Sequence, residues 1–467
     1  MLIGDAGIHI EINLAVEVLA SLLSIFFIYF VSKKYVNKGD TIEEGIFYGG
    51  LRLKIFAGIV LPLVYIFYYQ GGDTISYYYD SIIMGKAFWK DPALYFDYLF
   101  NGMYNEDGDY VMWKNYFRVR QLDSPFFIFR ADERAMFLVR IASVLIVITG
   151  GSFFASSILV SFFCYLGLWK VYKLFIEYYP VFKKQLSYTV LYIPSVVFWG
   201  SGILKDPLTL GGMCFLLISV HSFMKKRKLF SSAIISFLSG YLILAIKPYI
   251  FNAFIIGIGC WLLSFYLVKI KSVIFKALIF PFLLAMSVAV IFFSLDAFSG
   301  STGQYSIDKV MSEAVTVQND LKQEYYGGHR FDIGPFAPTL PSLLSKAPIA
   351  IATTLYRPFL WEADNPFILM SALESLIVAI FTAIAIFRIK IHRLQGILLR
   401  NPLLFFSFIF SLFFAFSVGL TTANFGALVR YKIPLMPFYL SMVYILSNYS
   451  KIPVNDQPKP APKGIVT

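Results

Sequence analysis

Four short stretches carry residues able to do chemistry. Gly71-Gly72-Asp73-Thr74-Ile75-Ser76-Tyr77-Tyr78-Tyr79-Asp80 directly follows an apolar run, so Asp73 falls at a membrane surface, level with lipid head groups. A carboxylate there can deprotonate an acceptor hydroxyl or hold a divalent cation. The same spacing also reads as a Gly-Gly turn with Asp73 capping a helix. Ser201-Gly202-Ile203-Leu204-Lys205-Asp206-Pro207 puts a Lys–Asp pair between two apolar runs, where charge is costly unless wetted or used. Lys205 can hold a phosphate as a point charge, while Asp206-Pro207 equally suits a helix start. In Tyr356-Arg357-Pro358-Phe359-Leu360-Trp361-Glu362, Arg357 is a bidentate phosphate ligand beside aromatic faces that stack on sugar rings. An aromatic belt with an Arg357–Glu362 surface pair accounts for the same residues. Arg430, within Asn424–Tyr431, reads as an anion site at the mouth of a span, or as a head-group anchor together with Lys432. His329-Arg330 and Lys247-Pro248 are weaker signals of the same kind.

The elements that must position these residues follow from composition. Of 467 residues, 58% are hydrophobic and 15% charged. Soluble domains carry about 45–50% apolar and about 25% charged residues. The mean hydropathy is +0.69. A soluble globule this apolar would have to expose the surplus, so a soluble enzyme is excluded, as are disordered and fibrous chains. The net charge of +12 comes from Lys and Arg placed between apolar runs. That is the pattern of cytoplasmic loops, not of a nucleic-acid-binding surface. Cys164, Cys214 and Cys260 lie inside apolar runs, and no Cys/His spacing predicts a metal site. Walker A, HExxH, GxSxG and GxGxxG motifs are absent from the sequence.

The chain therefore reads as an all-α integral membrane protein of about 11 (9–13) transmembrane helices. The expected spans are Leu14–Ser32, Ile55–Tyr69, one from about Ser152, Ser187–Ile203, Leu208–Phe223, Ser231–Ile246, Ile250–Val268, Ala277–Leu295, Pro366–Phe387, Leu403–Leu420 and Tyr431–Leu446. Ala135–Ile148 is expected to be short, re-entrant or interfacial. The first run lacks a basic region before it and is followed by Lys33 and Lys34, so it is expected to stay uncleaved with its N-terminus outside. Residues 1–450 form one polytopic domain with two large structured external loops, 70–135 and 296–365. The first is expected to hold interfacial helices and the second an amphipathic helix over Asp308–Lys322. Residues 451–467 read as a disordered cytoplasmic tail. All four chemical stretches then share the outer face. Span centres are almost free of charge, Glu17 and Glu374 being the nearest exceptions.

An Asp just past an early span, an external surface-helix region and scattered external cations resemble the GT-C-type glycosyltransferases. The resemblance runs over roughly Ile55–Leu446, with Gly72-Asp73-Thr74 and Arg430-Tyr431 as its anchors. Asp73 is followed by Thr74 rather than an acid, unlike the protein-mannosyltransferase branch. The resemblance implies a polyprenyl-phosphate-linked sugar donor, a glycan, lipid or protein acceptor, and transfer on the outer face of a bacterial inner membrane. It implies Lys205, Arg357 and Arg430 on the donor phosphate, and Asp73 on the acceptor hydroxyl with Asp80 or Glu362 in support. No cofactor is required, and a divalent cation is compatible without being demanded. Two alternatives remain open. One is an O-antigen-type polysaccharide polymerase or ligase, in which Asp296–Asn365 is the polymerase loop and His329 and Arg330 gain weight. The other is a lipid-linked glycan flippase or transporter without catalysis, which calls for charges along the spans and broken helices.

Overall fold

The computed structural model describes residues 2–3, 10–36, 39–101, 127–129, 132–267, 315–321, 330–389 and 391–453. These residues are helical almost throughout; a two-residue antiparallel pair, Leu2–Ile3 with Ile10–Glu11, is the exception. Seven of the helices are long and apolar enough to cross a membrane, and three shorter apolar ones run over Pro248–Ser264, Ala347–Tyr356 and Met436–Ser447. The described residues fall into two compact units. Residues 1–167, 197–212 and 241–247 form the first; 168–196, 213–240 and 248–467 form the second.

In the first unit, α1 (Leu14–Ser32) starts where the Asn13 side chain accepts from the Ala15 and Val16 amides. Its 19 residues span about 28 Å, the thickness of the hydrocarbon core. Helix α2 (Thr41–Val64) is capped by Asp40 and widens into a π turn over Tyr65–Tyr69, giving one apolar run of 29 residues. The second span thus begins well before the expected Ile55. Arg52 and Lys54 lie on the helix rather than in a loop, because Lys54 is buried and donates to the Val197 carbonyl at 3.2 Å. A lysine with an internal acceptor does not end a span. Then come α3 (Asp73–Lys90), α4 (Pro92–Asn101) and α5 (Glu133–Ile148). Helix α6 (Phe153–Tyr178) starts in this unit and meets the membrane-spanning criteria, whereas α5 does not.

The second unit holds α7 (Lys183–Val190) and the first turn of α8 (Pro194–Trp199), whose last three residues belong to the first unit. These replace the single span expected over Ser187–Ile203. Pro194 lacks an amide hydrogen and disfavours a helical residue before it, so the run breaks there. Helices α9 (Lys205–Met224) and α10 (Leu229–Ile246) pass from one unit into the other. The second unit continues with α11 (Pro248–Leu267), α12 (Leu340–Ser345), α13 (Ala347–Tyr356), α14 (Pro366–Arg388), α15 (Ile391–Arg400) and α16 (Pro402–Thr421). It closes with α17 (Phe425–Tyr431) and α18 (Met436–Ser447). The expected Tyr431–Leu446 span is therefore also divided, by a turn containing Pro434. Phe254, Phe406, Phe410 and Phe438 form its aromatic core, edge to face at 5.2–5.5 Å between α11, α16 and α18. A side chain at Gly419 would run into the Ala350 backbone, so a residue without Cβ lets α13 lie against α16. Thr354 seals this contact by donating to the Ala415 carbonyl at 2.7 Å.

The expected Ala277–Leu295 span lies outside the described residues, as do most of Asp308–Lys322 and the tail beyond residue 453. Of the amphipathic stretch, residues 315–320 are helical.

Candidate functional site

The first unit collects charge where helices begin and end. The π turn after α2 finishes at Tyr69, and Gly72 holds φ +97° in the turn that follows. A Cβ at Gly72 would meet the Tyr65 ring at 3.0 Å, so only glycine makes this bend without displacement. Gly72, not Asp73, is the N-cap of α3. Asp73 is instead the first helical residue, half-buried, where the helix dipole favours a carboxylate.

Asp80 lies two turns further along the same face of α3 and is fully buried. Its two oxygens accept the Ile128 and Phe129 amides at 3.0 Å each. Phe129 stacks on Tyr77 with ring centroids 4.4 Å apart. Burial pushes the Asp80 carboxyl up to about 6, against the two amide bonds that favour its charged form. Each oxygen thus accepts one amide, and Asp80 holds residues 128 and 129 against α3.

Asp132 caps α5, accepting from the Ala135 amide, and pairs with Lys205 Nζ at 2.9 Å. Burial alone would raise this carboxyl, but the hydrogen bond and charge of Lys205 outweigh it and hold the carboxyl below its ordinary value. Lys205 opens α9, with its side chain 19% exposed against 48% for Asp132. The next residue, Asp206, is buried and receives Lys247 Nζ at 2.5 Å from the C-terminal end of α10. At the far end of α5, Thr149 Oγ1 and Ser156 Oγ share a hydrogen bond of 2.9 Å at the start of α6. Tyr78 also reaches this start, donating to the Gly151 carbonyl at 2.7 Å. One region of the first unit therefore joins Asp80, Asp132, Lys205, Asp206 and Lys247 through successive contacts.

The second unit holds the remaining candidates. Arg357 Nε donates to both Glu362 oxygens at 3.0 and 3.1 Å, and its terminal nitrogen bonds Glu362 as well. Its guanidinium lies over the Phe331 and Phe425 rings, 5.0 and 5.2 Å from their centroids. A guanidinium forked onto a carboxylate and held between rings has little left to offer a phosphate. Glu362 also accepts the Phe359 amide at 2.8 Å, so this pair braces the turn before α14. Arg430 is half-buried near the end of α17. Arg330 is exposed, and its backbone bridges Asn424. His329 lies outside the described residues.

Lys432, read in sequence only as a surface anchor, is fully buried. Its ammonium donates to Ser375 Oγ at 2.7 Å and to the Arg357 carbonyl at 3.1 Å. Burial lowers it to about 8, even though the nearby Glu374 carboxylate pulls the other way. Asp132, Lys247, Glu374 and Lys432 carry the buried or paired charge, and sequence reasoning gave none of them a leading place. The available signal was a lone acid or lysine inside or beside an apolar run. Among the described residues, no three His, Cys, Asp or Glu side chains gather as a metal site.

No family model matches the chain, no characterised protein matches it in sequence and no solved structure matches it in fold.

Proposed function

We propose that the protein is a membrane glycosyltransferase that moves a sugar from a polyprenyl-phosphate-linked donor to a cell-envelope acceptor. The acceptor oxygen attacks the anomeric carbon, the bond from that carbon to the phosphate oxygen breaks, and the lipid phosphate leaves. Asp73 takes the acceptor's proton, and Lys205 offsets the charge that develops on the departing phosphate. One observation carries this reading. Of the three expected phosphate-holding cations, Lys205 shares a unit with Asp73, and its carboxylate partner Asp132 is half-exposed. A phosphate can displace such a partner at small cost. Arg357 is committed to Glu362 and enters this reading only as a structural residue.

The test is disruption of the gene in its host, with mass spectrometry of surface glycans and lipid-linked intermediates. Complementing copies are wild type, Asp73→Asn and Lys205→Gln. Loss of one sugar, restored by wild type but by neither variant, is the expected result. Single repeat units accumulating on lipid would replace this reading with a polymerase. An unchanged glycan profile would overturn both.

Transport without chemistry has its own support. Lys54, Asp206, Lys247, Glu374 and Lys432 are buried, and the apolar runs break at Pro194 and again over residues 432–435. Buried charge beside interrupted helices is the pattern of a substrate path. Restoration of the sugar by a glycosyltransferase-dead Asp73→Asn copy would favour transport.

A further inference from the structure

The second unit contains a cavity of about 730 Å³ at the C-terminal ends of α14 and α18, beside α15. We propose that it binds the phosphate of an anionic lipid head group. Three cations line it, Arg388, Arg400 and Lys451, and none of the lining residues is acidic. The hydroxyls of Tyr449 and Ser450 add hydrogen-bond donors to the same wall. The negative ends of two helices account for part of this charge. Arg388 serves that purpose, donating to the Ser447 carbonyl at 3.3 Å. Among the described residues, Arg400 and Lys451 form no ion pair, which leaves two cations for a ligand.

The rim is built rather than incidental. Asn401 is buried, donates to the Ile397 carbonyl at 2.6 Å and to the Tyr449 hydroxyl at 3.1 Å, and accepts from Tyr179 at 3.3 Å. Tyr449 is thereby fixed at the cavity wall. The sequence of α15 places Leu394, Ile397 and Leu398 on one face and Gln395 and Arg400 off it. A short helix so divided suits the boundary between head groups and acyl chains. Loop basicity that only fixes membrane orientation needs charge but no cavity. A basic pocket between spans at that depth fits a lipid phosphate, with Ile389 and Leu446 as apolar wall for the chain beneath it. This inference is independent of the glycosyltransferase reading.

The full chain, purified in detergent, would be titrated with phosphatidylglycerol, phosphatidylcholine and inorganic phosphate separately, and bound ligand counted by native mass spectrometry. Phosphatidylglycerol is expected to bind wild type in preference to phosphatidylcholine. The Arg400→Ala/Lys451→Ala variant should bind it about thirtyfold more weakly, and Arg400→Lys/Lys451→Arg should restore binding. Restoration by the charge-keeping pair separates loss of the site from loss of the fold. Lys33→Ala/Lys34→Ala, which removes exposed charge in the other unit, should leave binding unchanged. Equal binding of the two lipids, or equal loss in both alanine pairs, would overturn the proposal. Inorganic phosphate binding that phosphatidylglycerol fails to displace would overturn the lipid as its source.

Discussion

Glu17 and Glu374 solve one problem in two units by related means. Each is a buried carboxylate on an apolar helix, and each is held at the start of another helix by a serine hydroxyl and by backbone N–H, two amides for Glu17 and one for Glu374. Glu17 accepts from Ser152 Oγ at 2.5 Å and from the Phe153 and Phe154 amides at 2.8 and 3.1 Å, at the N-terminus of α6. Glu374 accepts from the Ser195 amide at 2.8 Å and Ser195 Oγ at 2.6 Å, in the first turn of α8. Their surroundings differ. Helix α6 has 26 residues and α8 has six. The long helix offers three donors and a full dipole, and among the described residues Glu17 makes no ion pair. The short helix offers fewer donors, and there Lys432 is buried facing Glu374. A carboxylate inside a membrane protein needs compensation, and a cation appears where the helix terminus supplies less of it.

The largest effect expected from this contrast comes from removing the cation. Lys432→Met leaves Glu374 buried without its positive charge and should cost about 3–5 kcal/mol, read as a loss of thermal stability in detergent. Adding Glu374→Gln should recover more than half of it. No recovery would mean that Lys432 acts through Ser375 and the Arg357 carbonyl instead. The same lysine sets a pH dependence. Its folded value of about 8 lies below the ordinary 10.5, so between these two the unfolded chain holds the extra proton. Stability should therefore rise with pH across that window, the penalty being complete below about 8. The difference between wild-type and Lys432→Met melting temperatures, followed from pH 7 to 10.5, checks the sign.

Glu17→Gln should cost less, about 1–3 kcal/mol, because hydrogen bonds weaken but no partner charge is stranded. A loss as large as that of Lys432→Met would end the contrast between the two units. The smallest effect on stability is expected at the half-exposed Lys205–Asp132 pair, where Lys205→Gln should cost under about 1 kcal/mol. If Lys205 holds a donor phosphate, this stable variant still loses sugar transfer. Normal transfer at normal stability would remove Lys205 from the proposed site.

The spans most legible in the sequence were those with long uninterrupted apolar runs, such as Leu14–Ser32, Pro366–Arg388 and Pro402–Thr421. Runs containing a satisfied charge or an awkward proline were misjudged. Lys54 shortened the expected second span, and Pro194 and Pro434 sat inside expected spans that are in fact divided. The expectation that span centres carry almost no charge missed Lys54 for a related reason: hydropathy counts a lysine as solvated, whereas Lys54 finds an acceptor inside the protein. The partners of Asp80 come from residues 128 and 129, a separation that no local pattern reveals.

The sequence by itself determined the class of this protein. Its apolar excess can be buried only in lipid, and backbone satisfaction within lipid made the long runs helices. It also marked where charge was anomalous. Tertiary structure alone decided which distant anomaly meets which: Lys205 with Asp132, Lys247 with Asp206, and Lys432 facing Glu374. The first two pairings, and the Lys432–Glu374 approach, join residues far apart in the chain. The energy of a buried charge depends on the groups within a few ångströms of it, and those are set by packing.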